Sequence, residues 1–143
     1  MASGTFAWYG PGLKRIMEGA IALTTHTIKG ALVDSTYTPN VDTDDDWADA
    51  SGKQVTGTNW AGPQTLTVTT DIDTTNNRVR FFVTDISVAT VTLTDGKHFV
   101  IYDDTHASDA LIGYVTFDTA LAPSAGTLAI DFDGTNGVGR FSY

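Results

Sequence analysis

Hydrophobic and polar residues alternate with a period of two along most of the chain beyond residue 27. This alternation is typical of strands that bury one face. It predicts strands over 27–33, 65–70, 79–84, 89–93, 99–102, 113–118, 127–132 and 139–142, with a short strand over 54–56 as an optional addition. Turn signals such as Asp95-Gly96 separate them. Roughly eight strands at a spacing of about ten residues predict an all-β fold, an antiparallel β-sandwich or jelly-roll-like domain, with a closed barrel as the alternative.

The first ten residues differ from the rest, because Phe6, Trp8 and Tyr9 occur there without a regular period. Three aromatic side chains within four positions are an unusual composition for a solvated tail. We therefore expect residues 1–10 to form an extended N-terminal arm that packs on its own domain or on a neighbouring subunit. Residues 11–143 are then expected to form the single β-rich domain.

Two short helices are predicted in the first third of the chain. Pro11 suits the first turn of a helix over 13–20, which would present one apolar face. Thr43 suits the N-cap of a second helix, with three aspartates in its first turn near the positive end of the dipole. Trp47 and Ala50 would point inward from this second helix.

The composition supports one domain and excludes several functions. The chain has 143 residues, 41% of them hydrophobic, which is enough for a core. Eight scattered basic residues face seventeen acidic ones, a net charge of -9, so we expect no direct binding to nucleic acid. No run approaches the roughly 18 apolar residues of a membrane span, so we expect no membrane partner. The absence of cysteine excludes disulfides and thiolate chemistry.

A cluster of aspartates over 42–49 suggests a calcium loop, but its pattern fails. Asp42-x-Asp44-x-Asp46 matches the start of an EF-hand. Trp47 then stands where the sharp turn needs glycine, and Lys53 where a bidentate glutamate should be. The predicted helix N-terminus explains the same acids without a metal, and some weaker calcium site stays open as the alternative.

A second group, His98, Asp103, Asp104 and His106, lacks the spacing of a zinc or iron site, and His26 fits a turn. On a strand, His98 would share a face with Tyr102 and not with Asp103. The chain has no nucleophile elbow, and its Gly-rich segment near the C-terminus lacks the lysine of a phosphate loop. We expect no catalytic residue, no cofactor and no metal, and hence no enzyme, although a glycosidase pair among the many aspartates is an open alternative.

Aromatic residues provide the remaining candidates for binding. Trp47, Trp60, Tyr37 and Tyr102 are of the type that stacks on sugar rings, and anchoring in the core or in loops is the competing interpretation. Trp60 stands between Asn59 and an Ala-Gly-Pro run, which predicts a loop position.

Two regions resemble a recurring pattern in small virion proteins of tailed bacteriophages. The run IKGAL (28–32), followed by STYTPNVDT (35–43), is similar to a "DTIKVAL…SSYTPNxDTH" segment of that family. The run HFVIYDDT (98–105), followed by LIGYVTF (111–117), is similar to its "YAVIYxDT…PLIGYIDF" segment. The TYTPN-x-DT core is the most specific part of the resemblance.

The run QVTGTNW (54–60) takes the place of the family's "EVSGTGY", so the resemblance spans about 19–118. It departs from the pattern at Gly30, where the family has valine, and at Asp44, where histidine is common.

The resemblance implies a non-enzymatic structural protein, most like the decoration or cement proteins of phage heads. It implies binding to the major capsid protein, assembly as a homotrimer, and a location on the outer surface of the virion head after assembly in the host cytoplasm. The residues we expect to contact partners are Phe6, Trp8, Tyr9 and Trp60. A carbohydrate- or receptor-binding module of a phage tail or fibre is the alternative function.

Overall fold

The structure is a computed structural model that describes residues 4–143, and in this range it has ten strands and two short helices. In chain order they are β1 (Gly4–Trp8), α1 (Gly10–Met17), β2 (Ile28–Val33), α2 (Ala48–Ser51), β3 (Gln64–Leu66), β4 (Val68–Asp73), β5 (Arg78–Val83), β6 (Ile86–Val91), β7 (Gly96–Asp103), β8 (Ala110–Leu121), β9 (Gly126–Ile130) and β10 (Gly139–Ser142).

These strands form three antiparallel sheets. The largest has the order β1-β8-β7-β2-β3, the second β10-β5-β4, and the third pairs β6 with β9. Residues of all three sheets share one apolar core, so the sheets pack against one another. The predicted all-β, sandwich-like fold with a short N-terminal helix is confirmed.

The five-stranded sheet is covered on both faces, which explains why nearly every residue of β2 and β7 is buried. Since successive side chains of a strand point to opposite faces, β7 serves two clusters. Phe99 and Ile101 pack in the main core, between this sheet and the two smaller ones. Val100 and Tyr102 pack in a second cluster, together with Tyr37 and the short helix α2.

The described part of the predicted arm is a strand of this sheet. Gly4–Trp8 pairs with residues 113–117 of β8 without a register shift, and Tyr9 behind it is fully buried. Residues 4–9 therefore pack on their own domain, which is one of the two arrangements expected for the N-terminal arm. Phe6 and Trp8 alternate with Thr5 and Ala7, which is the strand pattern that the aromatic count obscured.

Helix α1 begins and ends earlier than the predicted 13–20. Pro11 lies in its first turn as expected, and the helix ends where Gly19 takes φ +77, a left-handed conformation that favours glycine. The N–H groups of Gly19 and Ala20 donate to the carbonyls of Ile16 and Arg15, which closes the last turn.

The predicted helix capped by Thr43 is wrong, because only Ala48–Ser51 is helical. Residues 45–47 instead pair with the chain before and at the start of β8. The Leu111 N–H donates to the Asp45 carbonyl (2.9 Å), and the Trp47 N–H donates to the Asp109 carbonyl (2.8 Å). These long-range bonds outweigh the local preference of aspartate for a helix N-terminus. Trp47 and the buried Ala50 do point inward, as predicted.

Candidate functional site

A cleft of about 390 Å³ opens beside β1, the edge strand of the five-stranded sheet. One wall is β1 with Val115 and Phe117 of β8, and the other is the chain from 130 to 140. We call this feature the edge cleft. Its lining is part apolar and part polar, and the charged side chains in it are Asp131, Asp133 and Arg140.

Next to the edge cleft, the three-stranded sheet carries apolar side chains that the described chain covers only in part. The register places Ile72 beside Val79 and Val79 beside Phe141, so the three form a row across the sheet. Ile72 is 64% exposed and the neighbouring Tyr143 is 67% exposed, whereas Phe81, two residues along from Val79, is buried in the core. We call Ile72, Val79, Phe141 and Tyr143 the uncovered apolar face.

The opposite face of the same sheet is polar and internally paired. Arg80 binds Asp71 through two nitrogens (2.8 and 2.6 Å), and Arg78 binds Asp73 (2.7 Å). The side-chain amide of Asn76 and the Arg78 guanidinium lower the pKa of Asp73 to about 2. This hairpin is therefore amphipathic, and its charges are satisfied on the side away from the apolar row.

Of the four residues predicted to contact partners, two line the edge cleft. Phe6 and Trp8 pack edge-on against each other with ring centroids 5.0 Å apart, and Trp8 stacks on Phe141 at 5.0 Å. Tyr9 and Trp60 have no exposed surface, so the structure places neither at a surface where a partner would contact it. Trp60 was expected on a loop, but it lies in the main core beside a backbone bridge.

Tyr9 instead belongs to a buried hydrogen-bond chain with the TYTPN turn. The Tyr37 hydroxyl donates to Asp44 (2.8 Å), so the Tyr9 hydroxyl, 2.8 Å away, donates to Tyr37. Asp44 also accepts the Asn40 N–H (2.9 Å). Burial raises the pKa of both Tyr9 and Tyr37 well above the usual range of tyrosine. The most specific motif of the sequence is thus a structural corner that ties the end of β1 to the turn.

The aspartates after this turn serve packing and charge pairing. Arg15 of α1 contacts Asp45 (3.1 Å) and Asp46 (3.1 Å), and Asp49 accepts the N–H of Asp45 (2.9 Å). Ser108 donates to the Asp46 carboxylate (2.6 Å). Within residues 4–143, no group of three or more His, Asp or Glu side chains is arranged to hold a metal ion.

The histidine group is dispersed over both faces of the five-stranded sheet. His98 contacts Thr116 (2.9 Å), while the fully buried Asp103 pairs with His26 (2.6 Å) on the other side. Burial lowers the pKa of His98. His106 contacts Ser108, but the Ser108 hydroxyl donates to the Asp46 carboxylate and not to the His106 imidazole, so these residues do not form a nucleophilic triad.

The aromatic residues considered for sugar binding are packed within the chain. Trp47 lies parallel to Tyr102 with centroids 4.9 Å apart, and Tyr37 and Tyr102 are buried. Trp60, Tyr37 and Tyr102 are therefore not open to a pyranose, and the half-buried Trp47 has one ring face against Tyr102.

The sequence contains a partial signal for the uncovered apolar face. Asp71 and Asp73 before the turn, and Arg78 and Arg80 after it, alternate with apolar residues and predict a hairpin with one charged face. Whether the other face is covered depends on the rest of the fold, so periodicity alone could not identify the surface.

Comparison of the chain with protein-family models, with curated proteins and with solved structures finds no match. Within the part of the chain that the structure describes, no helix is long and apolar enough to cross a membrane.

Proposed function

We propose that this protein is a non-enzymatic virion component that decorates a phage capsid and stabilises it by binding the major capsid protein on the outer surface of the head. The observation that carries the proposal is the uncovered apolar face beside the edge cleft. Contiguous exposed apolar surface marks protein contacts, and here it adjoins a strand edge that can itself accept a partner. Both are means of adhesion, and neither requires a chemical step.

A pair of departures from the phage pattern also supports the proposal. The family pattern has valine where this chain has Gly30, and alanine where it has Phe99. In the fold these positions touch, because a Cβ on Gly30 would overlap the Phe99 ring, far inside the 3.0 Å limit of real Cβ contacts. Relative to the family pattern, residue 30 is smaller and residue 99 is larger, so the two changes together conserve volume in the core. The two departures are therefore consistent with the same fold.

We further propose that the protein assembles as a homotrimer, since closed rings of three suit the local three-fold positions of a shell. A chain with net charge -9 repels its copies over most of its surface. The three-stranded sheet is an exception, because Arg78, Arg80 and Arg140 outnumber Asp71 and Asp73 there. Copies can approach one another through this sheet without the general repulsion.

The test is to mix the purified protein with expanded, undecorated shells and to measure binding and the melting temperature of the shells. We expect binding to raise the melting temperature. A double variant, Ile72→Ser with Phe141→Ser, should bind more weakly, because it removes apolar contact area while the protein alone keeps its β signature in circular dichroism. Met17→Ser is the matched control, since Met17 is 85% exposed and lies outside this face.

If the shells neither bind the wild-type protein nor gain stability, the proposed function is wrong. If the shells bind the double variant as tightly as they bind the control, the uncovered apolar face is not the contact.

A further inference from the structure

The outer edge of β1 carries backbone groups that its own sheet does not use. The Tyr9 N–H donates to the Ile112 carbonyl (3.1 Å), in register with the pairing of Trp8 with Gly113. In an antiparallel ladder, hydrogen-bonded pairs alternate with pairs whose N–H and C=O groups point away from the neighbour. The groups of Phe6 and Trp8 therefore point away from β8, and within the described chain β1 pairs with no other strand.

The residues that carry these free backbone groups also line the edge cleft. Gly4, Phe6 and Trp8 all line it, at alternate positions of a strand about 14 Å long. A cleft of about 390 Å³ is at the lower end of the range for ligand sites. A slot with apolar side chains on one wall and a row of unpaired donors and acceptors beside it matches an extended peptide, which offers the complementary groups at the same repeat.

Strand β1 also lacks the features that prevent edge pairing. Its sequence, GTFAW, has no lysine, no proline and no charge, and its register with β8 has no bulge. The second wall of the cleft, from 130 to 140, stands opposite β1, so a partner strand has to enter between the two walls. This arrangement favours a single extended segment over the edge of a second complete sheet.

The rim of the cleft defines the charge that the segment should carry. Asp131 and Asp133 are exposed there, and the Asn136 N–H and side chain, with Arg140, lower the pKa of Asp133. Arg140 partly compensates the charge of Asp133, so Asp131 gives the rim a net negative charge. The chain as a whole also has a net charge of -9. A lysine or arginine beside the inserted strand complements this rim.

We propose that the edge cleft binds an extended protein segment with apolar residues at alternate positions and a basic residue at its flank, which adds to β1 as a sixth strand of the large sheet. That the segment belongs to the major capsid protein rests on the proposed function. The strand addition itself rests on the backbone groups of β1 and on the cleft alone.

The probe is a synthetic nine-residue peptide that alternates valine and threonine between terminal lysines, added to the full-length protein. Amide hydrogen exchange measured by NMR reads the edge directly. In the free protein, the Phe6 and Trp8 amides should exchange faster than those of Thr5 and Ala7, which bond to β8. Saturation with the peptide should slow the Phe6 and Trp8 amides at least about tenfold, as expected for newly hydrogen-bonded groups.

A pair of charge variants tests the rim. Asp131→Lys should weaken peptide binding about threefold or more, since one favourable exposed pair is replaced by repulsion. Asp42→Lys makes the same charge change at an exposed site that does not line the cleft and should leave the affinity within about twofold. Equal weakening by both variants would show that only net charge matters and would overturn the assigned rim.

Binding of the peptide without protection of the Phe6 and Trp8 amides, or no binding at millimolar concentration, would overturn the strand addition. This failure is distinct from failure of the proposed function. If shells bind the protein but the peptide does not protect the β1 amides, only the strand addition at the cleft is refuted. Protection by the peptide in a protein that shells ignore would refute only the capsid role.

Discussion

The contact between residues 30 and 99 allows a sharp test of core packing by a double-mutant cycle. Gly30 lies on β2 opposite Ile101, and Phe99 lies on β7 opposite Leu32, so the Phe99 ring covers the position where a side chain of residue 30 would stand. Leu66 lies beside the same space, 3.2 Å from that Cβ position. The perturbation is to exchange the sizes of residues 30 and 99, singly and together.

The expected magnitudes follow from burial. Phe99 has no exposed surface, so Phe99→Ala should lower the free energy of unfolding by about 3–5 kcal/mol through lost transfer and a cavity. Gly30→Val alone should cost about 1–3 kcal/mol, because the ring and the two strands must shift. In the double variant, the valine methyl groups enter the space that the ring leaves. Its cost should therefore fall short of the sum by about 1–3 kcal/mol.

The assay is urea unfolding followed by circular dichroism, with the slope checked for constancy across the four proteins. Gly52→Val is the matched control, because nothing lies within 4 Å of its Cβ position and it is remote from Phe99. Gly52→Val and Phe99→Ala should add within about 0.5 kcal/mol. If Gly30→Val and Phe99→Ala also add within that margin, the two residues do not share one space and the volume exchange is refuted.

Four further predictions follow from burial and hydrogen bonding. Trp60→Ala should lower the free energy of unfolding by about 3–5 kcal/mol, because Trp60 is fully buried. Trp60→Phe should lower it much less, because the buried indole N–H has no hydrogen-bond partner to lose within the described chain. Equal losses of the two variants in urea unfolding would contradict this. Deletion of residues 1–9 should cost more than about 3 kcal/mol, because it removes a strand and the buried Tyr9, and an unchanged thermal midpoint would show that β1 is dispensable. Because the pKa of Tyr9 is raised in the folded protein, its ionisation should not affect the free energy of unfolding below pH about 10, where tyrosine ionises in the unfolded chain. Above that pH the free energy of unfolding should fall by up to about 1.4 kcal/mol per pH unit. Tyr9→Phe should reduce this alkaline slope, and an unchanged slope would show that Tyr9 is not its source. The pKa of His98 is lowered in the folded protein, so neutral His98 contributes to stability above pH about 6.5, and this contribution is lost as the pH falls below that value. His98→Gln should therefore make the free energy of unfolding depend less on pH just below about 6.5.

The strands with strong alternation were predictable from the sequence. Residues 139–142 were predicted with the bounds that the structure has, and 27–33 differs from Ile28–Val33 by one residue. Gly96–Asp103 and Ala110–Leu121 extend beyond their predicted ranges, because their ends pair with neighbours that no local pattern reveals. Prediction was least accurate where tertiary bonds replaced local preference, as in the chain before α2, where aspartates that suit a helix cap pair with residues near the start of β8 and with Arg15.

The candidate site was predictable only in part. The aromatic residues Phe6 and Trp8 were recognised as unusual, and they do line a cleft. Tyr9 and Trp60 were grouped with them because a sequence shows residue type and not exposure, and both are core residues. The uncovered apolar face depends on where the rest of the fold ends, so it could not be inferred before Ile72 and Phe141 were placed in one row.

Imaging of intact particles, at a resolution that resolves individual surface proteins, is the decisive test of whether this protein stabilises a phage head from outside. We expect trimeric density of this fold on the outer surface of the head, at the local three-fold positions, with the uncovered apolar face or the edge cleft against a neighbouring subunit. Density of this fold only in the tail or fibres, or its absence from the particle, would refute the capsid role.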